Sequence, residues 1–350
     1  KALTCLDHMQ REGVIPNAIT YMGALKASGS MQCIERTHDM HTDITNLGLE
    51  KDSFIGSALI ETYCKCGFPQ QAQYVFDHLL DKDIVSWTAL ISGCVDNGYS
   101  HEALNCLDKM RSNNVHPNMI TYTCSLKACG NLGYTDKAHE LHAEIVKEGN
   151  LKDSCLGIAL VDSYSKCGLL SEAYDVFSEL CIQNVVSWTT LIAGYVEHGD
   201  GEEGLSCLKK MQSEGIPPDI VTYVCSIKAC CKIGFIEQGF ELHSSIIKRG
   251  FEGDSSIVNI LIAMYSKCGF LIEAEAMIDE LSVKTNIAWT ALIAGYAEHG
   301  LGDEALKCFE HMQLEGVPSN AVSYISALKA CSIAGALYKG REIHVEIEQQ

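Results

Sequence analysis

The only tryptophans of the chain, Trp87, Trp188 and Trp289, fall 101 residues apart each time. Around each of them the text is nearly the same: IVSWTALISGCVDNGYSHEALNCLDKMRSNNVHPN at 84–118, VVSWTTLIAGYVEHGDGEEGLSCLKKMQSEGIPPD at 185–219 and NIAWTALIAGYAEHGLGDEALKCFEHMQLEGVPSN at 286–320. Self-similarity at a fixed period restricts a chain to an array, in which each unit buries its apolar face only against its neighbours. At 350 residues the chain exceeds one ordinary core, yet no Pro, Gly or Ser-rich linker divides it. A continuous solenoid follows, rather than two or three separate globular domains.

From Ala18 three unit lengths cycle: 35 residues (18–52), 31 (53–83) and 35 (84–118). The set repeats at 119–153, 154–184 and 185–219, and again at 220–254, 255–285 and 286–320, giving nine complete units. Residues 1–17 have the pattern of the second half of a unit, and 321–350 that of a truncated one. Because the text starts without an initiator Met and stops inside a repeat, the chain is expected to be a piece of a longer protein. Each unit is expected to hold two helices. In 185–219 the first runs from about Trp188 to His198, and the second from about Glu202 to Ser213 with Leu205, Leu208 and Met211 on one stripe. Gly199 stands where a helix needs a left-handed residue to stop, and Gly67, Gly98, Gly133, Gly168, Gly234, Gly269, Gly300 and Gly335 recur in its register. Gln32 holds that place in the first full unit. Pro117, Pro218 and Pro318 are expected to terminate second helices. No strand-like alternation competes, so the fold class is all-α.

A formal charge of −19 runs against nucleic-acid binding, which normally calls for a basic surface, and would suit a basic protein partner. No apolar run approaches the ~20 residues of a membrane span. Eighteen cysteines in so long a chain fit buried free thiols better than a disulfide scaffold. The Cys64/Cys66 and Cys230/Cys231 pairs are repeat inheritance without the second matching pair that a zinc site wants, so neither metal nor other cofactor is expected. The pairs His38/His41 and His139/His142 become Phe240/His243 and Arg341/His344, which suits interface imidazoles rather than ligands. His198 and His299 end first helices, where the helix dipole favours them. The tryptophans are expected in the core. With no nucleophile elbow, phosphate-binding glycine loop or paired-carboxylate site, no catalytic residue and no small-molecule substrate are expected.

The combination of motifs resembles the pentatricopeptide repeat (PPR) proteins of the P-L-S subclass. VVSWTTLIAGYVEHG looks like the P motif, ITYTCSLKACGNLG with KAHELHAEIVKEG like the L motif, and ALVDSYSKCGLLSEAYDVF like the short S motif, in the right cyclic order. The constant 34-residue period of tetratricopeptide repeats does not fit. On this resemblance, 1–17 would be the second helix of a P motif and 321–350 a truncated L motif. The resemblance implies a right-handed superhelix whose first helices line a groove for single-stranded RNA, one repeat per base. It also implies work on transcripts of a mitochondrion or plastid, including processing and editing. The deaminase signature, His-x-Glu with a downstream C-x-x-C, does not occur here.

The same resemblance implies that the fifth and last residues of a unit read the base edge and that the second packs on the base faces. In the P motifs the reading pairs are Thr88 with Asn118, Thr189 with Asp219, and Thr290 with Asn320. A terminal carboxylate can accept from the ring N–H of guanine or uracil, and a terminal amide can donate to the ring nitrogen of adenine or cytosine. With the family's Thr as a purine choice, these three units would read A, G and A. Thr123 with Asp153 would say G, Ser57 with Asp83 weakly the same, and Asn259 with Thr285 a pyrimidine. Met22 with Asp52, Val224 with Asp254 and Ile158 with Asn184 offer no legible fifth-position bond. The nine units then spell n-g-A-G-n-G-n-y-A. Base packing falls to Val85, Ile120, Val186, Val221 and Ile287. Lys26, Lys127, Lys228 and Lys329, four residues after the fifth position, would face phosphate, whereas Glu61 and Asp162 hold the equivalent place in two S motifs. Thr, Asn and Asp at these positions are also ordinary helix caps. The expected function is sequence-specific RNA binding; the alternative is an α-solenoid scaffold that takes a protein partner on its concave groove or terminal repeats, or a structural subunit of a large organellar assembly.

Overall fold

Each first helix begins where a polar side chain can cap it. Before the helix Val185–Glu197, Asn184 accepts the Ser187 N–H at 3.0 Å and the Ser187 hydroxyl accepts the Asn184 N–H at 3.0 Å. This reciprocal pair satisfies two backbone donors that a helix start leaves unpaired. The helix therefore starts at Val185, three residues earlier than the apolar pattern from Trp188 suggests. It ends at His198, and Gly199, at φ 96°, turns the chain into Gly201–Ser213. There Glu202 and Glu203 sit in the first turn and Lys210 in the last, in accord with the helix dipole. Trp188, Leu191, Ile192 and Val196 of the first helix and Leu205, Leu208 and Met211 of the second are all buried. Truncating a buried Leu of this kind to Ala costs about 2–5 kcal/mol.

The computed structural model describes residues 1–150, 153–281 and 283–349, and among them there are 21 α-helices and no strand. They fall into two bodies, Lys1–Ile182 and the remainder from Gln183. In the first body, the first helices Ala18–Met31, Ser53–Lys65, Ile84–Asp96, Met119–Leu132 and Ser154–Lys166 pack in sequence on one another. The second helices Ala2–Arg11, Ile34–Asn46, Pro69–His78, Ser100–Ser112, Thr135–Lys147 and Leu170–Glu179 pack on first helices instead. The second body repeats the arrangement. Its first helices are Val185–Glu197, Ile220–Ile233, Ser255–Lys267, Asn286–Glu298 and Ala321–Ala334, and its second helices are Gly201–Ser213, Ile236–Arg249, Leu271–Asp279, Gly302–Leu314 and Leu337–Gln349. Each body is an α-solenoid of helical hairpins. Second helices reach one another through long charged side chains, as Arg111 does to Glu140 at 2.9 Å and Glu144 at 2.5 Å.

The close contact between first helices depends on small residues. A Cβ on Gly93 would lie 2.1 Å from Cys64 Sγ, and one on Gly295 would lie 2.6 Å from Ser266 Cβ and 2.9 Å from its carbonyl oxygen. The layer of first helices could not close with a larger residue there.

The prolines do not stop the second helices. Ser100–Ser112, Gly201–Ser213 and Gly302–Leu314 end four or five residues before Pro117, Pro218 and Pro318, and the left-handed residue that breaks them is Asn114, Gly215 or Gly316. The prolines instead hold extended the stretch that leads to the next cap. Gln32 adopts the left-handed conformation at φ 51° although it has a Cβ. The hairpin geometry thus overrides the side chain, at a local expense of about 1–2 kcal/mol.

Candidate nucleic-acid interface

The residues expected to read bases at segment ends are all helix N-caps. Asp83 accepts from the Ser86 N–H at 2.8 Å, Asn118 from Thr121 at 2.8 Å, and Asp153 from Cys155 and Leu156 at 2.9 and 3.0 Å. Asp219 accepts from Thr222 at 2.8 Å, Thr285 from Ala288 at 3.2 Å, and Asn320 from Ser323 at 2.8 Å. Asn17, Asp52, Asn184 and Asp254 cap the other first helices through side-chain oxygens as well. Capping calls for an oxygen. An Asn that caps through Oδ1 must therefore turn its NH2 elsewhere, whereas an Asp in the same pose turns a second acceptor there. The cap fixes which atom is left over, so Asn and Asp present opposite hydrogen-bonding characters in one geometry.

In two of the P motifs the fifth residue is tied to the cap through the next threonine. Thr189 Oγ1 lies 2.6 Å from Thr222 Oγ1, which donates to Asp219 Oδ1 at 2.7 Å. Thr88 Oγ1 lies 2.9 Å from Thr121 Oγ1, which reaches Asn118 Oδ1 at 3.0 Å. With its proton committed to the next threonine, Thr88 or Thr189 keeps only acceptor capacity. The pair Thr189/Asp219 then offers two acceptors, matching the adjacent ring N–H and amine of guanine, and Thr88/Asn118 offers an acceptor and a donor, matching the amine and ring nitrogen of adenine. Both threonines, like Thr290 and Ser57, are buried apart from a sliver, at 7–9% exposure. Thr123 donates back along its own helix to the Met119 carbonyl at 2.9 Å. Asn259 Oδ1 accepts directly from Thr285 Oγ1 at 2.9 Å.

The five second positions expected to pack on bases are exposed aliphatics: Val85 (52%), Ile120 (60%), Val186 (58%), Val221 (57%) and Ile287 (64%). Ile19 (78%), Phe54 (66%) and Val322 (56%) extend the series, and the same register in the sequence was the signal for them. Large apolar groups repeated at one solvent-facing position are not core, and their chemistry suits contact with an apolar or aromatic face. A surface cavity of about 410 Å³ brings several of these residues together, with Val85, Thr88, Asn118 and Ile120 in its lining alongside Glu61, Lys65 and Asp96.

Lys26, Lys127, Lys228 and Lys329 are all exposed on first helices, and Lys127 pairs with Asp96 at 3.0 Å. Lys65, Lys166 and Lys267, the last residues of three first helices at 101-residue spacing, join them; that spacing was the signal for this second series. Glu61 and Asp162 hold Lys65 and Lys166 at 2.5 and 2.7 Å. The overall acidity is unevenly placed. The first helices together carry eight lysines against five carboxylates, and the second helices carry 26 carboxylates against 13 Lys and Arg. With the N-cap aspartates Asp52, Asp83, Asp153, Asp219 and Asp254 included, the layer that bears the candidate site holds eight lysines against ten carboxylates, close to balance and far less acidic than the second helices.

Trp87, Trp188 and Trp289 are buried at 2–3% exposure and belong to the hairpin cores. His41, His142 and His243 each share a 2.8 Å hydrogen bond through Nδ1 with the phenol of Tyr63, Tyr164 or Tyr265 on the following first helix. Burial lowers all three imidazoles and pushes the three phenols up to about 12. They are pins between hairpins. His299 sets Nε2 3.2 Å from the Lys267 carbonyl, where a first helix ends. All 18 cysteines are free thiols, and among the described residues no cluster of three or more metal-ligating side chains occurs.

Sequence patterns of the PPR repeat family match residues 82–131, 183–232 and 284–332, and those of the single PPR repeat match 57–84, 120–150, 159–185, 221–251 and 256–284. The chain belongs to the PPR repeat family. A putative pentatricopeptide repeat-containing protein of Arabidopsis thaliana is 31% identical over 346 residues, covering 98% of this chain and 50% of the relative. Two further A. thaliana pentatricopeptide repeat-containing proteins, one named mitochondrial and one chloroplastic, are 32% and 33% identical and are covered over 40% of their length, with 98% of this chain aligned in each case. The PPR chain thus spans about half the length, or less, of these relatives. Among solved structures, the pentatricopeptide repeat protein PPR10 in complex with an 18-nt psaJ RNA element superposes with a TM-score of 0.79 at 19% identity, over 98% of this chain and 52% of that one. PPR10 from maize gives 0.71 at 18% identity, over 99% of this chain and 56% of that one. These likenesses establish the PPR solenoid fold.

Proposed function

We propose that this chain is the RNA-reading array of an organellar transcript-processing or editing factor of the P-L-S subclass, with nine complete repeats that each address one base and no catalytic step of their own. The observation that carries this reading is the leftover atom at each capping residue. At Asp219 and Asn118 it differs in hydrogen-bonding sense while the surrounding geometry is shared. The exposed aliphatics beside it supply packing faces for bases, and the lysines of the first helices supply phosphate contacts. Relatives named mitochondrial and chloroplastic, and a fold neighbour crystallised with RNA, support the same reading.

The test is binding of the purified chain to a nine-nucleotide RNA, nnAGnGnnA, against the same RNA with pyrimidines at the three P-motif bases, across a salt series. Preference for the purine RNA with a shallow salt slope supports the reading, because few phosphates meet lysine. Equal, negligible binding of both RNAs at low salt overturns it. The acidic second helices favour a second reading, docking of a basic protein on those helices, and retention of a basic partner by a chain indifferent to RNA would support it.

A further inference from the structure

The three P-motif reading pairs are not equivalent. In 84–118 and 185–219 the first residue is Ile84 or Val185, and the fifth threonine turns across to the next first helix, to Thr121 or Thr222. Among the described residues no hydrogen bond reaches Asn118 Nδ2 or Asp219 Oδ2. In 286–320 the first residue is Asn286. Its Oδ1 accepts from Thr290 Oγ1 at 3.0 Å and from Asn320 Nδ2 at 2.8 Å, and its amide donates to the Pro318 carbonyl. Asn320 still caps through Oδ1, which accepts from the Ser323 N–H. Ser323 sends its hydroxyl to the Asn320 carbonyl at 2.8 Å instead of to the fifth residue. Both side chains that would meet the base are thus turned toward one amide, that of the repeat's own first residue. Asn320 keeps a second N–H, but the first fixes its head toward Asn286, so a base must break or bend that bond before it is read.

We propose that Asn286 is a specificity-determining residue that withholds Asn320 by taking up one of its amide N–H groups and redirects Thr290 away from the next first helix, so that this repeat discriminates its base more weakly than the repeats ending at Asn118 and Asp219. The inference rests on the base reading proposed above. Exchanging Asn286→Val, which installs the residue type already present at Val185, frees both side chains without enlarging the helix start. Discrimination of A over other bases at the position of 286–320 then rises about fivefold, the scale of one net hydrogen bond. The reciprocal exchange, Val185→Asn, weakens discrimination of G at the position of 185–219 by a similar factor. Asn286→Ile, which copies the residue at Ile84, serves as a second form of the first arm.

The experiment measures binding of each variant to the nine-nucleotide RNA with each base in turn at the two positions, with thermal midpoints as the check on folding. An Asp219→Asn variant runs in parallel as a control of base reading itself. If Asp219→Asn moves the preferred base while both Asn286 variants leave discrimination at their own position unchanged, Asn286 has no such role and base reading stands. If Asp219→Asn moves nothing, base reading fails and this inference fails with it.

Discussion

Thr189 and Thr222 face each other across two consecutive first helices with their hydroxyl oxygens 2.6 Å apart, and Thr222 passes its own proton to Asp219 Oδ1. One residue outside the reading pair therefore holds both of its members. Replacing Thr222 by Val, of similar shape, removes the hydroxyl that links Thr189 to Asp219 and releases Thr189, while the backbone N–H at 222 still caps Asp219. We expect discrimination of G over A at this repeat to fall about threefold to tenfold, because one net hydrogen bond is lost, while Thr222→Ser retains it. Affinity ratios for matched and mismatched RNAs check this, and an equal loss in both variants would contradict it.

Gly295 packs against Ser266 with no room for a methyl group. The obstruction includes the Ser266 carbonyl, a backbone atom that cannot rotate away. Gly295→Ala should destabilise the second body by about 1–3 kcal/mol, the scale of overpacking a tight core, despite the better helix propensity of Ala. Urea unfolding checks the sign. A neutral or stabilising result would show that the helices slide apart freely.

Gln32 is the reverse case, a residue with a side chain in a left-handed pose that glycine adopts at the equivalent places, Gly133 and Gly234 among them. Gln32→Gly should stabilise the first body by about 1 kcal/mol. Hydrogen exchange of the hairpin formed by Ala18–Met31 and Ile34–Asn46 would slow accordingly.

His41, His142 and His243 are lowered by burial against the tyrosines, so the unfolded chain binds protons at these sites more readily than the folded one. Their contribution is complete above the ordinary value near 6.5 and is lost as pH falls through the depressed folded values. His38 and Glu50 act on His41, and Glu179 and His139 on His142, with burial as the largest cause in each case. The urea midpoint should therefore fall between pH 7.5 and 5. A His142→Gln variant should show a smaller fall, and an unchanged slope would contradict the assignment.

Hairpin order and the left-handed glycines were legible because they are local: a period of 101 residues, apolar stripes and a glycine at each break can be read without tertiary contacts. The start of the first helix in 185–219 was misplaced because the cap, not the apolar stripe, sets it, as Asn184 shows for Val185. The prolines misled because Asn114, Gly215 and Gly316 stop the helices first. At the site, the residue types at fifth and last positions could be named from the text. Their hydrogen-bonding state could not, since it depends on partners about 30 residues away in the chain, such as Thr222 for Thr189 or Asn286 for Asn320. The distribution of charge was equally hidden in the total of −19, which says nothing of which helix bears it.

The most direct test of the account is the exchange Asp219→Asn. The cap oxygen is kept and only the outward atom changes, from acceptor to donor. Binding of the purified chain to RNAs that differ only at the base of this repeat should shift from G preferred to A preferred, by about tenfold in the ratio, with the thermal midpoint moving little. A ratio that stays fixed, or both affinities falling together, would contradict the claim that this capping residue reads the base.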